Sequence, residues 1–241
     1  MARSIDPAPK AVRGFVPARN DEERYLMRHI EDLARTASSR GIARYSGFLS
    51  DREQQLAQAA LNRTDMPEDE IRFDGGWPGA ERKLLCLEPV DSYPASPLCC
   101  VRLQCRALPG AQLPVHKDYL GSLMGLELRR EALGDIVLPE DQLGVAYVFA
   151  LEPAAELICQ ELRQAGHTDL TAEMQPLETL PAFPQAERPR QTATVSSLRL
   201  DAVLAAMLRC SRGMAAELVT AGRVEINHLP CLLYTSPSPR D

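Results

Sequence analysis

The chain has 241 residues, of which 45% are hydrophobic and 25% are charged. This composition excludes wholesale disorder, collagen and coiled-coil rods. No run of about 18 apolar residues occurs and the first residues contain no apolar signal core, so we expect a cytoplasmic protein that does not interact with a membrane. The formal net charge of −6 argues against a protein that coats nucleic acid indiscriminately.

Cysteine and histidine form no recognisable metal-binding pattern. The seven cysteines are at positions 86, 99, 100, 105, 159, 210 and 231, no Cys-x-x-Cys pair is present, and the four histidines are scattered. A structural zinc site needs four convergent ligands, usually in two closely spaced pairs. We therefore expect no metal ion and no cofactor, and we interpret Cys99, Cys100 and Cys105 as small core residues.

Two helix starts are visible in the first segment. Asn20 precedes three acidic residues, with Glu23 at the position of a capping box, and Ser50 and Glu53 repeat that pattern. Apolar residues follow the first start at helical spacing: Tyr25, Leu26, Ile30, Leu33 and Ala34. These features predict a helical N-terminal domain over residues 1–74.

The pattern changes after residues 75–79, Gly-Gly-Trp-Pro-Gly, because glycine and proline interrupt regular structure. Short alternating runs then predict strands and longer runs at 3.6-residue spacing predict helices. The predicted strands are 82–87, 98–105, 135–138, 144–150 and 169–174, and the predicted helices are 117–128 and 153–165, the second ended by Gly166. From residue 98 this order matches a split βαβ fold resembling the RNA-recognition motif (RRM). We expect an α+β protein with an RRM-like middle domain at 75–175.

Residues 176–197 have the composition of a linker, since four prolines, at positions 176, 181, 184 and 189, disfavour a long helix. The stretch 198–231 then predicts a compact unit of two short helices and a hairpin. Apolar residues from Leu200 to Leu208 follow helical spacing, Ser211 occupies an N-cap position, and Gly222 is placed to end the second helix.

Two arginines stand at the starts of these helices. Arg199 opens the first helix and Arg212 opens the second, where free backbone N–H groups favour an anion. Arginine binds phosphate oxygens in a bidentate way, and Gly213 would permit close approach. The composition leaves open the alternative that both arginines only solvate the helix starts.

The stretch 198–231 resembles the S4 RNA-binding domain in several short motifs. They are Arg199-Leu200-Asp201, Ser211-Arg212, Ala216-Glu217 and the segment from Gly222 to Asn227. Upstream, residues 48–54, 75–83, 116–126, 129–131 and 134–136 resemble one S4-containing family, the bacterial YlmH-type RNA-binding proteins, with Trp77 where tyrosine is commoner. The resemblance covers nearly all of the chain from about 20 to 231.

The resemblance implies RNA binding and no catalysis. Members of the family are understood to associate with the large ribosomal subunit, its ribosomal RNA and tRNA, and are linked to ribosome-associated quality control of stalled peptidyl-tRNA; related plastid and cyanobacterial proteins carry a photosystem II label. The resemblance to the S4 domain implies four RNA-facing positions: Arg199, Ser211, Arg212 and Arg223. We add Arg188 and Arg190 of the linker to this set. No small-molecule substrate is implied.

Two departures from the S4 pattern stand out. Many S4 domains hold a lysine shortly after the Ser-Arg pair, where this chain has Gly213 and Met214. After Cys231, where further strands normally follow, Pro237 and Pro239 interrupt a run with no period-2 pattern. We expect residues 232–241 to be a non-native tail, such as read-through into adaptor sequence, which leaves the S4 domain (198–231) incomplete.

Two alternatives to a pure RNA binder remain. S4 domains also occur on rRNA- and tRNA-modifying enzymes, but the chain has no Gly-x-Gly-x-x-Gly turn, and His116-Lys117-Asp118 is a weak candidate for a general-base cluster. A protein–protein adaptor would use the acidic upstream part. Residues 186–231 carry a net charge of +2 and the remainder −8, so the basic residues gather on the S4-like segment.

Overall fold

The computed structural model describes residue 16 and residues 18–106, 112–183, 192–195, 197, 199–226 and 229–230. The chain folds as two compact units that divide between residues 184 and 185. Among the described residues, no helix is both long enough and apolar enough to cross a membrane.

The first unit begins with the two predicted helices, α1 (Asp21–Arg40) and α2 (Asp51–Leu61). The Asn20 side chain accepts a hydrogen bond from the Glu23 N–H at 2.8 Å, and the Ser50 N–H donates to Glu53 Oε2 at 2.7 Å. These contacts satisfy backbone and side-chain groups at the exposed helix starts, which confirms both predicted N-termini.

A three-stranded antiparallel sheet packs against these helices. Its strands are β1 (Arg44–Leu49), β2 (Ile71–Asp74) and β3 (Lys83–Leu87), in the order β1-β3-β2. The sequence pattern predicts only helices before residue 74, and this prediction misses strands β1 and β2. Both strands are short and lack strict alternation, and their pairing depends on β3, which lies beyond the predicted boundary at 74. The sheet therefore joins residues from both sides of that boundary.

The second sheet confirms the RRM-like prediction. Its elements, in chain order, are β4 (Leu98–Cys105), α3 (His116–Met124), β5 (Leu133–Val137), β6 (Val145–Leu151), α4 (Glu152–Glu161), β7 (Gln164–Ala165) and β8 (Thr168–Gln175). The strand order is β5-β6-β4-β8-β7, with every pair antiparallel. The predicted end of α4 at Gly166 is wrong, because the helix ends at Glu161 and Gly166 adopts a φ of 58° in the β7–β8 turn.

Each face of this five-stranded sheet has its own core. Tyr119 and Leu123 of α3 and Ile158 of α4 are buried against one face. The opposite face packs against the three-stranded sheet through Phe48, Leu84 and other buried residues: Cys86, Cys100, Val145, Tyr147 and Phe149. The free energy of apolar burial therefore holds the two sheets of the first unit together.

The Gly-Gly-Trp-Pro-Gly segment and its surroundings are part of this packing. Asp135 accepts hydrogen bonds from Trp77 Nε1 at 3.2 Å, from the Glu81 N–H at 2.8 Å and from the Arg82 N–H at 3.1 Å. The Arg82 guanidinium donates to the carbonyl oxygens of Leu133, Phe48 and Arg130 at 2.9–3.1 Å. Trp77, Glu81 and Arg82, which belong to the segment that resembles the YlmH-type family, therefore have a structural role between the two sheets.

The start of the predicted linker also belongs to the first unit. Leu177 and Leu180 pack beside Phe183, which is only 9% exposed, on the second face of the five-stranded sheet. These three apolar residues recur every third position, a signal that the prolines at 176 and 181 obscure. The linker predicted for 176–197 therefore does not begin before residue 184.

The second unit contains the helices predicted for the S4-like stretch. They are α5 (Leu200–Leu208) and α6 (Arg212–Thr220), followed by the short antiparallel strands β9 (Glu225–Ile226) and β10 (Leu229–Pro230). The predicted tail at 232–241 and the linker residues Arg188 and Arg190 lie outside the described residues.

Candidate nucleic-acid interface

The face of the RRM-like sheet that lies opposite α3 and α4 is covered by protein. RRM domains bind single-stranded RNA by stacking bases on aromatic residues of the open sheet face. In this chain Tyr147 and Phe149 of β6 lie on that face, but Phe183 covers both, with ring centroids 5.0 and 6.3 Å away. Tyr147 is 5% exposed and Phe149 is fully buried, so neither ring can receive a base in this arrangement.

The α5–α6 pair of the second unit is the better candidate, and its sequence explains its geometry. The Ser211 side chain accepts a hydrogen bond from the Met214 N–H at 3.2 Å, which caps α6 as predicted. At the other end, Gly222 has a φ of 66°, its N–H donates to Val219 O, and the Arg223 N–H donates to Leu218 O, both at 3.0 Å. This is a Schellman motif, which requires a residue that tolerates the left-handed region.

A buried carboxylate joins the two predicted RNA-facing arginines. Asp201 is only 7% exposed. It accepts a hydrogen bond from Arg212 Nη2 at 2.8 Å on one oxygen and from Arg199 Nε at 3.1 Å on the other. These bonds to Arg212 and Arg199 lower the pKa of Asp201 to about 2, so the carboxylate stays charged at neutral pH.

The arrangement leaves much of each guanidinium available. The side chains of Arg199 and Arg212 are 68% and 55% exposed, although each donates one hydrogen bond to Asp201. A guanidinium has five N–H donors, so each arginine retains donors for another acceptor. The structure thus brings two exposed cations, Arg199 and Arg212, onto one buried anion.

The other predicted positions are less closely connected. The Ser211 hydroxyl is used in capping α6, and Arg223 is exposed at the opposite end of that helix from Arg212. One exposed cation was not among the predicted positions: Arg209, in the turn between α5 and α6, where it has a φ of 52° and a ψ of 42°. No glycine or asparagine marks this turn, so the sequence carried no signal for its left-handed backbone.

In His116-Lys117-Asp118, the weak candidate for a general-base cluster, the acidic residue has a structural role. Asp118 Oδ2 accepts a hydrogen bond from the Val115 N–H at 2.9 Å, so it caps α3. Burial raises the pKa of Cys86 and of Cys100 to about 12, which disfavours a nucleophilic thiolate. Within the part of the chain that the structure describes, no group of three or more His, Cys, Asp or Glu residues could hold a metal ion.

Comparison with known proteins places this chain in a family. Residues 198–232 match the model of the S4 domain. The ribosome-associated protein quality control protein P2 of Bacillus subtilis (strain 168) is 32% identical over 212 residues, which are 87% of this chain and 79% of the relative. The chain belongs to the YlmH-type family of S4-domain proteins.

A solved structure supports the fold of this YlmH-type protein. The cell division protein ylmH from Streptococcus pneumoniae superposes with a TM-score of 0.52 at 13% sequence identity, covering 68% of this chain and 98% of that chain. At that identity the likeness concerns the fold alone. It agrees with the mixed α+β architecture described above.

Proposed function

We propose that this YlmH-type protein binds structured RNA through the α5–α6 pair of its S4 domain. The observation that carries the proposal is the Asp201 carboxylate, which fixes the exposed guanidinium groups of Arg199 and Arg212 at 3.1 and 2.8 Å. Two guanidinium groups held in place lose less conformational freedom when they bind phosphate. The two guanidinium cations and the one carboxylate anion give the site a net positive charge.

The ribosome is the proposed location of that RNA. The relative from Bacillus subtilis is named as a ribosome-associated quality control protein, and its similarity extends over most of this chain. We propose accordingly that the partner is ribosomal RNA of the large subunit together with tRNA, and that the protein acts on stalled complexes carrying peptidyl-tRNA. Such a role would be performed in the cytoplasm.

We further propose that the protein binds without catalysing a reaction. The assigned side chains are ion-paired arginines, which suit recognition of phosphate and lack a nucleophile or general base. The capping role of Asp118 and the raised pKa of Cys86 and Cys100 support this proposal.

Co-sedimentation with purified bacterial large ribosomal subunits tests the proposal. The full-length double variant Arg199→Ala/Arg212→Ala should bind at least about tenfold more weakly at low salt, because two phosphate contacts are lost. The slope of log affinity against log KCl concentration should fall by about 2. Amide hydrogen exchange of α5 and α6 establishes whether both helices remain folded in the variant.

The matched control is Arg28→Ala, which removes an exposed arginine from α1 of the first unit. This variant should pellet like the wild-type protein. If the double variant also pellets at the wild-type level with an unchanged salt slope, association runs through another surface, such as an adaptor surface on the acidic first unit.

A further inference from the structure

Arg209 occupies a backbone conformation that an arginine rarely adopts. It ends α5 with a φ of 52° and a ψ of 42°, in the left-handed region where Cβ crowds the backbone. The Cys210 N–H donates to Ala205 O at 3.1 Å, so the helix end itself is well formed. Glycine would satisfy this turn without the steric penalty, and local backbone geometry therefore gives no reason for an arginine here.

No partner among the described residues explains the side chain of Arg209 either. It is exposed and makes no ion pair or side-chain hydrogen bond with any residue that the structure describes. Arg199 and Arg212, by contrast, share the Asp201 carboxylate. The segment 207–214, which we name the α5–α6 corner, contains no carboxylate, and the nearest acidic residue along α6 is the exposed Glu217.

The surface of the corner is both cationic and apolar. Met207, Leu208 and Met214 are 58%, 55% and 51% exposed, and each lies within two residues of Arg209 or Arg212 in the sequence. Flexible apolar side chains can pack against sugars and bases, while arginine contacts the phosphates. A polyanion with apolar components fits this surface better than an acidic peptide does, because the corner offers few hydrogen-bonding side chains besides the arginines.

We infer that Arg209, at the α5–α6 corner, is a further phosphate-binding residue of this protein. The inference rests on the proposed RNA-binding function and adds to it a contact residue outside the predicted set. Because no carboxylate among the described residues pairs with Arg209, its charge is available to a phosphate, whereas the charges of Arg199 and Arg212 are partly offset by Asp201.

Arg209→Gly separates this role from a structural one, because the two roles predict opposite results. Glycine relieves the left-handed backbone and should increase amide protection of α5 and α6 in the full-length protein. The same variant should bind large ribosomal subunits about fivefold to tenfold more weakly and lower the salt slope by about 1. Arg209→Asn, which is neutral and also tolerates this conformation, should behave in the same way.

Arg209→Lys is the matched control, since it retains the charge and the backbone conformation. It should bind more tightly than Arg209→Gly and keep the wild-type salt slope. Wild-type affinity and salt slope in both neutral variants would overturn the inference about Arg209, and so would reduced amide protection in Arg209→Gly. If the wild-type protein itself does not pellet with the subunits, the proposed function fails.

Discussion

At the scale of single residues, Asp201 holds the two arginines of the candidate interface in place. Only 7% of Asp201 is exposed, so its carboxylate relies mainly on Arg199 and Arg212 for hydrogen bonds. In return it restricts both guanidinium groups to one region of the surface. Removing one arginine should therefore change the environment of the carboxylate and, through it, the position of the other arginine.

Titration of the Asp201 carboxyl, followed by its side-chain carbon signal in NMR spectra, tests this coupling. We expect a pKa of about 2 in the wild-type protein. The Arg212→Ala variant should raise that pKa towards the ordinary value of about 4, because Arg212 is its largest stabilising partner. Arg223→Ala, at the far end of α6, should leave it unchanged.

The sign of the resulting pH dependence follows from the lowered pKa. A carboxyl whose pKa is depressed on folding stabilises the folded state above its unfolded-state pKa of about 4, and this stabilisation is lost as the pH falls towards 2. Amide protection of α5 and α6 should therefore decrease between pH 4 and 2 in the wild-type protein. A pKa near 4 in the wild-type protein would contradict the bonds to both arginines.

At the scale of elements, the glycine positions show where two elements lie too close together to admit a side chain. Gly134 of β5 lies against the Phe48 ring of β1, and a methyl group on it would be 2.5 Å from Phe48 Cε1. Gly121 of α3 is exposed, and no atom would lie within 4 Å of a methyl group there. The first glycine permits the two sheets to approach each other, whereas the second has no close neighbour among the described residues outside its own helix.

Substituting each glycine by alanine should therefore change stability in opposite directions. Gly134→Ala should lower the free energy of unfolding by about 1–3 kcal/mol, because the core cannot accept the methyl group without displacement. Gly121→Ala should raise it by up to about 1 kcal/mol, because alanine favours a helix interior. Urea unfolding followed by the fluorescence of Trp77, the only tryptophan in the chain, measures both effects in the first unit.

Equal destabilisation by the two alanine variants would show that Gly121 is constrained by something other than packing within the chain. Equal stability of Gly134→Ala and the wild-type protein would mean that β1 and β5 have room to separate. Each variant thus serves as the control for the other, since both add a single methyl group to the same unit.

At the scale of the whole molecule, the proposed function assigns structural and binding roles to different units. The first unit encloses an aromatic cluster in which Phe183 contacts Trp77, Tyr147 and Phe149 edge to face, with centroid distances of 5.6, 5.0 and 6.3 Å. Its RRM-like sheet is covered on both faces by protein. The second unit carries the exposed arginines, so we expect changes in the first core to alter stability more than RNA affinity.

Phe183→Ala tests this division. The variant should lower the free energy of unfolding of the first unit by about 3 kcal/mol, since a buried phenyl ring is removed. It should also shift the Trp77 emission to longer wavelength, because that indole loses its neighbour. Tyr93→Ala, which removes a ring that is 98% exposed, should change neither quantity.

Affinity for large ribosomal subunits, measured below the unfolding transition, completes the comparison. Both variants should bind like the wild-type protein. Loss of binding by folded Phe183→Ala would show that the aromatic cluster of the first unit participates in recognition, contrary to the division of roles.

Local patterns in the sequence determined much of this protein. Asn20, Ser50, Ser211 and Gly222 marked helix ends because the capping interactions they make are with backbone groups only a few residues away. The order of apolar periods predicted the split βαβ fold, since hydrophobic spacing reports which side of an element is buried. Short motifs likewise indicated the S4 domain and the YlmH-type family.

The tertiary structure decided what depends on contacts between distant residues. The pairing of β3 with β1, and the covering of the RRM-like face by Phe183, both join segments that are far apart in sequence. The bond from Arg212 to Asp201, and the left-handed turn at Arg209, are also not marked by any local pattern in the sequence. Local propensity fixes where elements start and stop, whereas their partners, and with them the exposed charges of the interface, are set by the free energy of packing the whole unit.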